Sequence, residues 1–163
     1  MTSEKKQTAV SVASGAAAFL CPAVLFYLLE YMTHTPFTDM RPFVQFYNIL
    51  FFELIFLLLL ALFRSARVAL AIETVCTWVY GLANYYVLQF RSKPILPWDI
   101  YSVGTAASVA DNYDYTLSGR ALVVTLLMAA LLLCVILFLR FSLPLPLGKR
   151  LCVFFTVLLF LYA

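Results

Sequence analysis

Apolar runs of about twenty residues recur along this chain, and no other feature limits its fold so strongly. A helix that crosses a hydrocarbon core of about 30 Å needs about 20 mostly apolar residues. Four runs meet that length, over 9–31, 43–63, 68–90 and 121–139. The first has Pro22 near its middle, the third is the most polar, and the fourth is the cleanest. A fifth run, 151–163, is too short to cross. Its last residues, from Phe154 to Leu161, stay apolar to the end of the sequence, which reads as a helix cut within its length.

Composition closes off a soluble fold. The chain is 64% hydrophobic and 12% charged, whereas soluble domains carry about 25% charged residues. A domain of this size also buries only about 70% of its unfolded surface. The surplus apolar surface must therefore face lipid. The expected fold is all-α, a polytopic membrane helix bundle. It has four spanning helices plus a truncated fifth, and a short interfacial helix in the third–fourth loop. The whole of 1–163 reads as one transmembrane domain. A formal net charge of +3 gives no reason to expect a nucleic-acid partner.

Lys and Arg set the orientation, because they gather in short cytoplasmic loops. With the N-terminus inside, the inner segments carry Lys5, Lys6, Arg64, Arg67, Arg140, Lys149 and Arg150. The outer ones carry Arg41, Arg91, Lys93 and Arg120. Seven against four favours a cytoplasmic N-terminus. The first run is too long for a signal peptide and fits a retained anchor. The long connection, 91–119, then lies outside.

Carboxylates inside apolar runs are costly and need a reason. Glu53 falls near the centre of the second run. It could serve a proton or ion path or grip a polar headgroup, or simply bond to a neighbouring helix. Glu73 sits near the start of the third run, where a local ion pair with Arg67 would explain it. Glu30 is placed at the outer interface. Glu73, Thr77, Gly81 and Asn84 are spaced by four, four and three, so they share one helix face. Small and polar residues on one face mark a helix–helix contact; a headgroup cleft is the sharper alternative.

No metal ligand set is expected. Cys21, Cys76, Cys134 and Cys152 lack any C-x-x-C spacing and read as small buried hydrophobes. His34 has no second imidazole or cysteine nearby. Glycine-rich phosphate loops and nucleophile–base pairs outside the bilayer are also missing from the sequence. Taken alone, these residues do not form a self-sufficient enzyme.

The outer loop is the richest segment. Pro94 and Pro97 stop the third helix from continuing. Asp99 is placed to cap a new helix, in which Val103, Ala107 and Ala110 recur at helical intervals. Trp98, Tyr101, Tyr113 and Tyr115, with Tyr85 and Tyr86, supply an interfacial aromatic belt. Arg91 and Lys93 could meet lipid phosphates there; the plainer reading is a device that only seats the loop.

The stretch from Asn84 through Arg91 and Pro94 to Pro97-Trp98-Asp99, followed by Thr105 to Tyr113, resembles the membrane domain of lipoteichoic acid synthase-type proteins. These are sulfatase-like phosphoglycerol transferases of Gram-positive bacteria. The likeness is specific over about 30 residues and elsewhere rests on the order of the apolar runs. It implies five membrane helices with the N-terminus inside, then an extracellular domain of alkaline-phosphatase-like fold. That domain would hold a threonine nucleophile and a divalent metal, manganese or magnesium. It would transfer glycerol phosphate from phosphatidylglycerol to a polymer or glycolipid. Nothing in this sequence corresponds to such a domain, so no catalytic or metal-binding residue can be assigned here. What carries over is an anchor in the bacterial cell membrane, with Arg91, Lys93, Trp98 and Asp99 as lipid-contact candidates. Two other classes compete with it. One is a small membrane protein that binds or flips a lipid-linked envelope intermediate through Glu53 and the polar third-helix face. The other is a non-catalytic membrane subunit that docks a separate enzyme.

Overall fold

The computed structural model describes residues 3–33, 39–102, 104 and 116–162. Among the described residues five α-helices follow in order: α1 Ser3–Thr33, α2 Pro42–Phe63, α3 Ala66–Arg91, α4 Gly119–Phe138 and α5 Leu147–Tyr162. A short 3₁₀ helix, Pro97–Ser102, follows α3. Among the described residues there is no strand, only an isolated bridge between Ser65 and Ser142. The chain is thus an all-helical, multi-pass membrane protein. Ala13–Thr33 of α1, with α2, α3 and α4, are each long and apolar enough to cross a bilayer. The expected runs are met within a few residues at their ends, and α5 begins four residues earlier than its apolar run.

Each boundary has a local cause. Pro42 opens α2, where its missing N–H breaks no helical bond. Arg64 ends α2 in the left-handed region, with φ 64°, and its N–H donates to the Leu60 carbonyl at 2.8 Å. Ser92 closes α3 in the same way, with φ 55° and its N–H on Leu88. Non-glycine residues rarely adopt this conformation, so both stops are held by their surroundings. Ser118 caps α4 by accepting the Ala121 N–H at 3.2 Å. Pro22 has no N–H for the Ala18 carbonyl four residues back, yet α1 runs through it.

α1 and α3 form the centre of the bundle. They pack on each other, both contact α2 and α4, and α2 and α4 do not meet. α5 packs on α2 and on no other helix. Lipid tails are as apolar as leucine, so burial alone gives these helices little reason to associate; close packing and hydrogen bonds must do it. Gly81 supplies the close approach: a Cβ there would lie 2.9 Å from Leu29 Cδ1 and 3.2 Å from the Met32 sulfur, both on α1.

Two apolar clusters fill the interior. One joins Ala18, Phe56, Leu60, Ala69, Leu70 and Val135. The other joins Leu25, Met32, Tyr85, Val124 and Met128, with Phe52 and Trp78 packed against it. Glu53 on α2 and Glu73 on α3 fall in sequence between the members that each helix gives to the two clusters. The carboxylates therefore occupy a layer between two apolar plugs.

The basic end of the bundle is tied by backbone and guanidinium bonds. Ala66 N–H donates to Phe141 O at 3.0 Å, and Leu143 N–H to Arg64 O at 2.8 Å. Arg67 Nε donates to Leu139 O at 3.0 Å. The expected Arg67–Glu73 ion pair is therefore not formed, because that guanidinium is turned toward the frayed carbonyls ending α4. The cysteines also depart from expectation: Cys21 is half-buried, but Cys76, Cys134 and Cys152 are exposed on the apolar surface. A thiol is apolar enough to face lipid without a partner.

Candidate functional site

The polar residues concentrate where α3 leaves the bundle. Asn84 is buried in the last third of the helix, and its Oδ1 accepts the Ile95 N–H at 2.8 Å. About two turns beyond the Asn84–Tyr85 pair, the chain turns back at Ser92, so the Pro94–Leu96 segment descends beside the helix that precedes it.

Arg91, the last residue of α3, holds this return. Its Nη1 donates to Asp99 Oδ1 at 2.9 Å, its Nη2 reaches Asp99 Oδ2, and the same Nη2 donates to Pro94 O at 2.8 Å. The paired contact is the fork-on-fork geometry that makes arginine–carboxylate bonds strong and directional. Asp99 Oδ2 also accepts the Leu96 N–H at 2.7 Å. The Arg91 hydrogen bond, then the Leu96 N–H, holds the Asp99 carboxyl down at about 2. Asp99 is therefore not the residue preceding the new helix. It is the third residue of the 3₁₀ helix, reaching back to the residue before its start, which is the second half of a capping box.

A further bond ties this unit to α4. The Ser118 N–H donates to the Tyr85 hydroxyl at 2.8 Å. Tyr85 is thereby buried inside the bundle and does not belong to the aromatic belt. Its ring is in the core and its one polar atom is satisfied, as a buried tyrosine requires. Trp98 and Tyr101 do project, at 63% and 90% exposed. Lys93 is exposed beside them and makes no ion pair among the described residues. Arg91 is already matched by Asp99, so Lys93 is the cation free to meet an anionic headgroup.

The expected interfacial helix is seen only at its start. Pro97–Ser102 is 3₁₀ rather than α, while Val103, Ala107, Ala110, Tyr113 and Tyr115 lie outside the described residues. His34 does too.

The mid-bundle layer is the second candidate. Glu73 is 3% exposed, and Thr74, Thr77 and Asn84 are buried with it. The face predicted from spacing thus lies inside the bundle, with Gly81 against α1. Neither Glu73 carboxyl oxygen has a hydrogen-bond partner, nor do Thr74 Oγ1, Trp78 Nε1 and Thr125 Oγ1. Glu53 is half-buried, and no bond from it to a neighbouring helix is found among the described residues. Apolar clusters lie on either side of this layer, while Thr77 and Asn84 carry the polar face of α3 on toward the outer loop.

No three His, Cys, Asp or Glu side chains among the described residues could hold a metal ion together. The groups present can position a loop and meet a headgroup; they offer no nucleophile with an adjacent base. No family model matches the chain, and no curated protein or solved structure matches it.

Proposed function

We propose that this chain is the membrane anchor of a lipoteichoic acid synthase-like phosphoglycerol transferase in the Gram-positive cell membrane, without catalysis of its own. One observation supports the reading above others. Among the residues that carry the resemblance, Arg91 bonds to Pro94 and Asp99, Asp99 to Leu96, and Asn84 to Ile95, all where α3 ends. A hydrophobic span alone would have no need of such bonds. They fix the loop against the bundle and present Lys93, Trp98 and Tyr101 to the interface. Tryptophan and tyrosine favour that zone.

The orientation belongs to the same proposal. Arg64, Arg67, Arg140, Lys149 and Arg150 gather at one end, while Arg41, Arg91, Lys93 and Arg120 lie at the other. The basic end is assigned to the cytoplasm, which places the 84–99 unit at the outer surface. There it would hold a transferase domain near phosphatidylglycerol, and tethering raises the local concentration of the active site at its substrate. The threonine nucleophile and the manganese or magnesium of such an enzyme would belong to that domain. No group of His, Cys, Asp or Glu among the described residues would hold that metal, and no chemical step is assigned to them.

An antibody against the N-terminal residues tests this on native membranes. The proposal expects a polypeptide several times the 18.4 kDa of this sequence. A native product of 18.4 kDa would remove it and leave a self-contained membrane protein.

A further inference from the structure

At the basic end, where α2 and α5 meet, three cations lie on neighbouring stretches of chain: Arg64 just past α2, and Lys149 and Arg150 on the first turn of α5. Arg150 donates from Nε to Ala61 O at 2.9 Å and from Nη2 to Leu62 O at 2.6 Å, covering the open carbonyls that end α2. Its neighbour Lys149 is exposed on the first turn of α5. Arg64, two residues past Leu62, is held by its own N–H on Leu60 and by its carbonyl on Leu143, and is also exposed. Neither Arg64 nor Lys149 has an ion-pair partner among the described residues. Of the carboxylates whose side chains are described, Glu30, Asp39 and Asp99 lie toward the other end, and Glu53 and Glu73 within the bundle.

The surroundings narrow what such a patch would bind. Leu62 and Phe63 of α2, and Leu147 and Leu151 of α5, are all exposed beside the cations. A soluble anion would gain nothing from that apolar rim. A phospholipid satisfies both parts at once. Its phosphate meets the cations by charge-assisted bonds, while its acyl chain lies along the outside of the α2–α5 pair. Basic clusters between membrane helices at a bilayer surface are suited to anionic headgroups.

We infer that the foot of the α2–α5 pair is a binding site for an anionic phospholipid, with its phosphate on Arg64 and Lys149 beside Arg150. Arg150 is held on α2 through Nε and Nη2, so it fixes the patch, and the two exposed cations take the ligand. The inference does not depend on the proposed function, since it concerns the opposite end of the bundle from the 84–99 unit.

The test uses the whole chain in vesicles of equal phosphatidylglycerol and phosphatidylcholine, released in mild detergent and weighed by native mass spectrometry. Wild type is expected to retain phosphatidylglycerol preferentially. Arg64→Gln/Lys149→Gln is expected to lose that preference by about thirtyfold, at about fivefold for each cation. Lys149→Gln alone touches no bond in the fold and should lose about fivefold, so it decides the matter if the double variant does not fold. Arg41→Gln/Arg120→Gln, at the other end, should retain the preference. Equal retention of both lipids by wild type would overturn the site. So would an undiminished preference in Lys149→Gln, or the same loss in the Arg41/Arg120 variant.

Discussion

Asn84 holds Ile95: the amide oxygen of a residue inside the bundle accepts the backbone N–H of a residue in the outer loop at 2.8 Å. Pro94 and Pro97 flank that N–H and have none to offer, so this bond is the local anchor of the loop to the helix. Removing the acceptor strands a partly buried donor, which costs about 1–3 kcal/mol. Asn84→Ala is expected to lower thermal stability in detergent by that amount. Asn84→Asp, which keeps the oxygen, should lose less. Equal losses in the two variants would show that the bond to Ile95 is not what Asn84 contributes.

The Arg91–Asp99 pair gives the loop a pH limit. Asp99 is held at about 2, below its ordinary value of about 3.9. A group depressed in the folded state stabilises it fully above the unfolded value, and that contribution is lost as pH falls through the folded one. The loop should therefore be insensitive between pH 8 and 5 and loosen between about 4 and about 2. Emission of Trp98, alone in a Trp78→Phe background, reports this directly. A transition centred near pH 6 would contradict the clamp.

Gly81 distinguishes size from shape at the α1–α3 crossing. A single added Cβ meets only the ends of Leu29 and Met32, which are flexible enough to turn aside, so Gly81→Ala should be nearly neutral. Gly81→Leu has no such escape and should cost about 1–3 kcal/mol or more, as overpacking does. Thermal unfolding of the two variants side by side checks the difference.

Glu73 presents the reverse case. It is buried with both carboxyl oxygens unpartnered, so an apolar residue of similar size should fit better than the native one. Glu73→Leu is expected to raise stability by roughly 1–3 kcal/mol. A drop instead would mean that the carboxyl serves the fold through a partner such as a trapped water.

Much of this was readable from the sequence because a bilayer demands a fixed length of apolar helix. All four spans and the buried face of Glu73, Thr77, Gly81 and Asn84 followed from run length and helical spacing. The errors came from side chains whose partners are distant in sequence. Arg67 sits six residues from Glu73 but bonds to Leu139, seventy-two residues away. Tyr85 beside Tyr86 looks interfacial until the Ser118 N–H is brought to its hydroxyl. The pairing of Arg91 with Asp99, eight residues apart across two prolines, had a visible signal in its complementary charges. The turn that joins them, with Ser92 in the left-handed region, had none.

The most direct test of the central claim is chemical. Transfer of glycerol phosphate from phosphatidylglycerol breaks a phosphate ester bond and leaves diacylglycerol, whatever the acceptor. Radiolabelled phosphatidylglycerol should be followed in membranes of the native host, with the protein present and depleted. Labelled diacylglycerol should fall on depletion and return with the native full-length protein. Unchanged diacylglycerol formation in depleted membranes would contradict the proposed function.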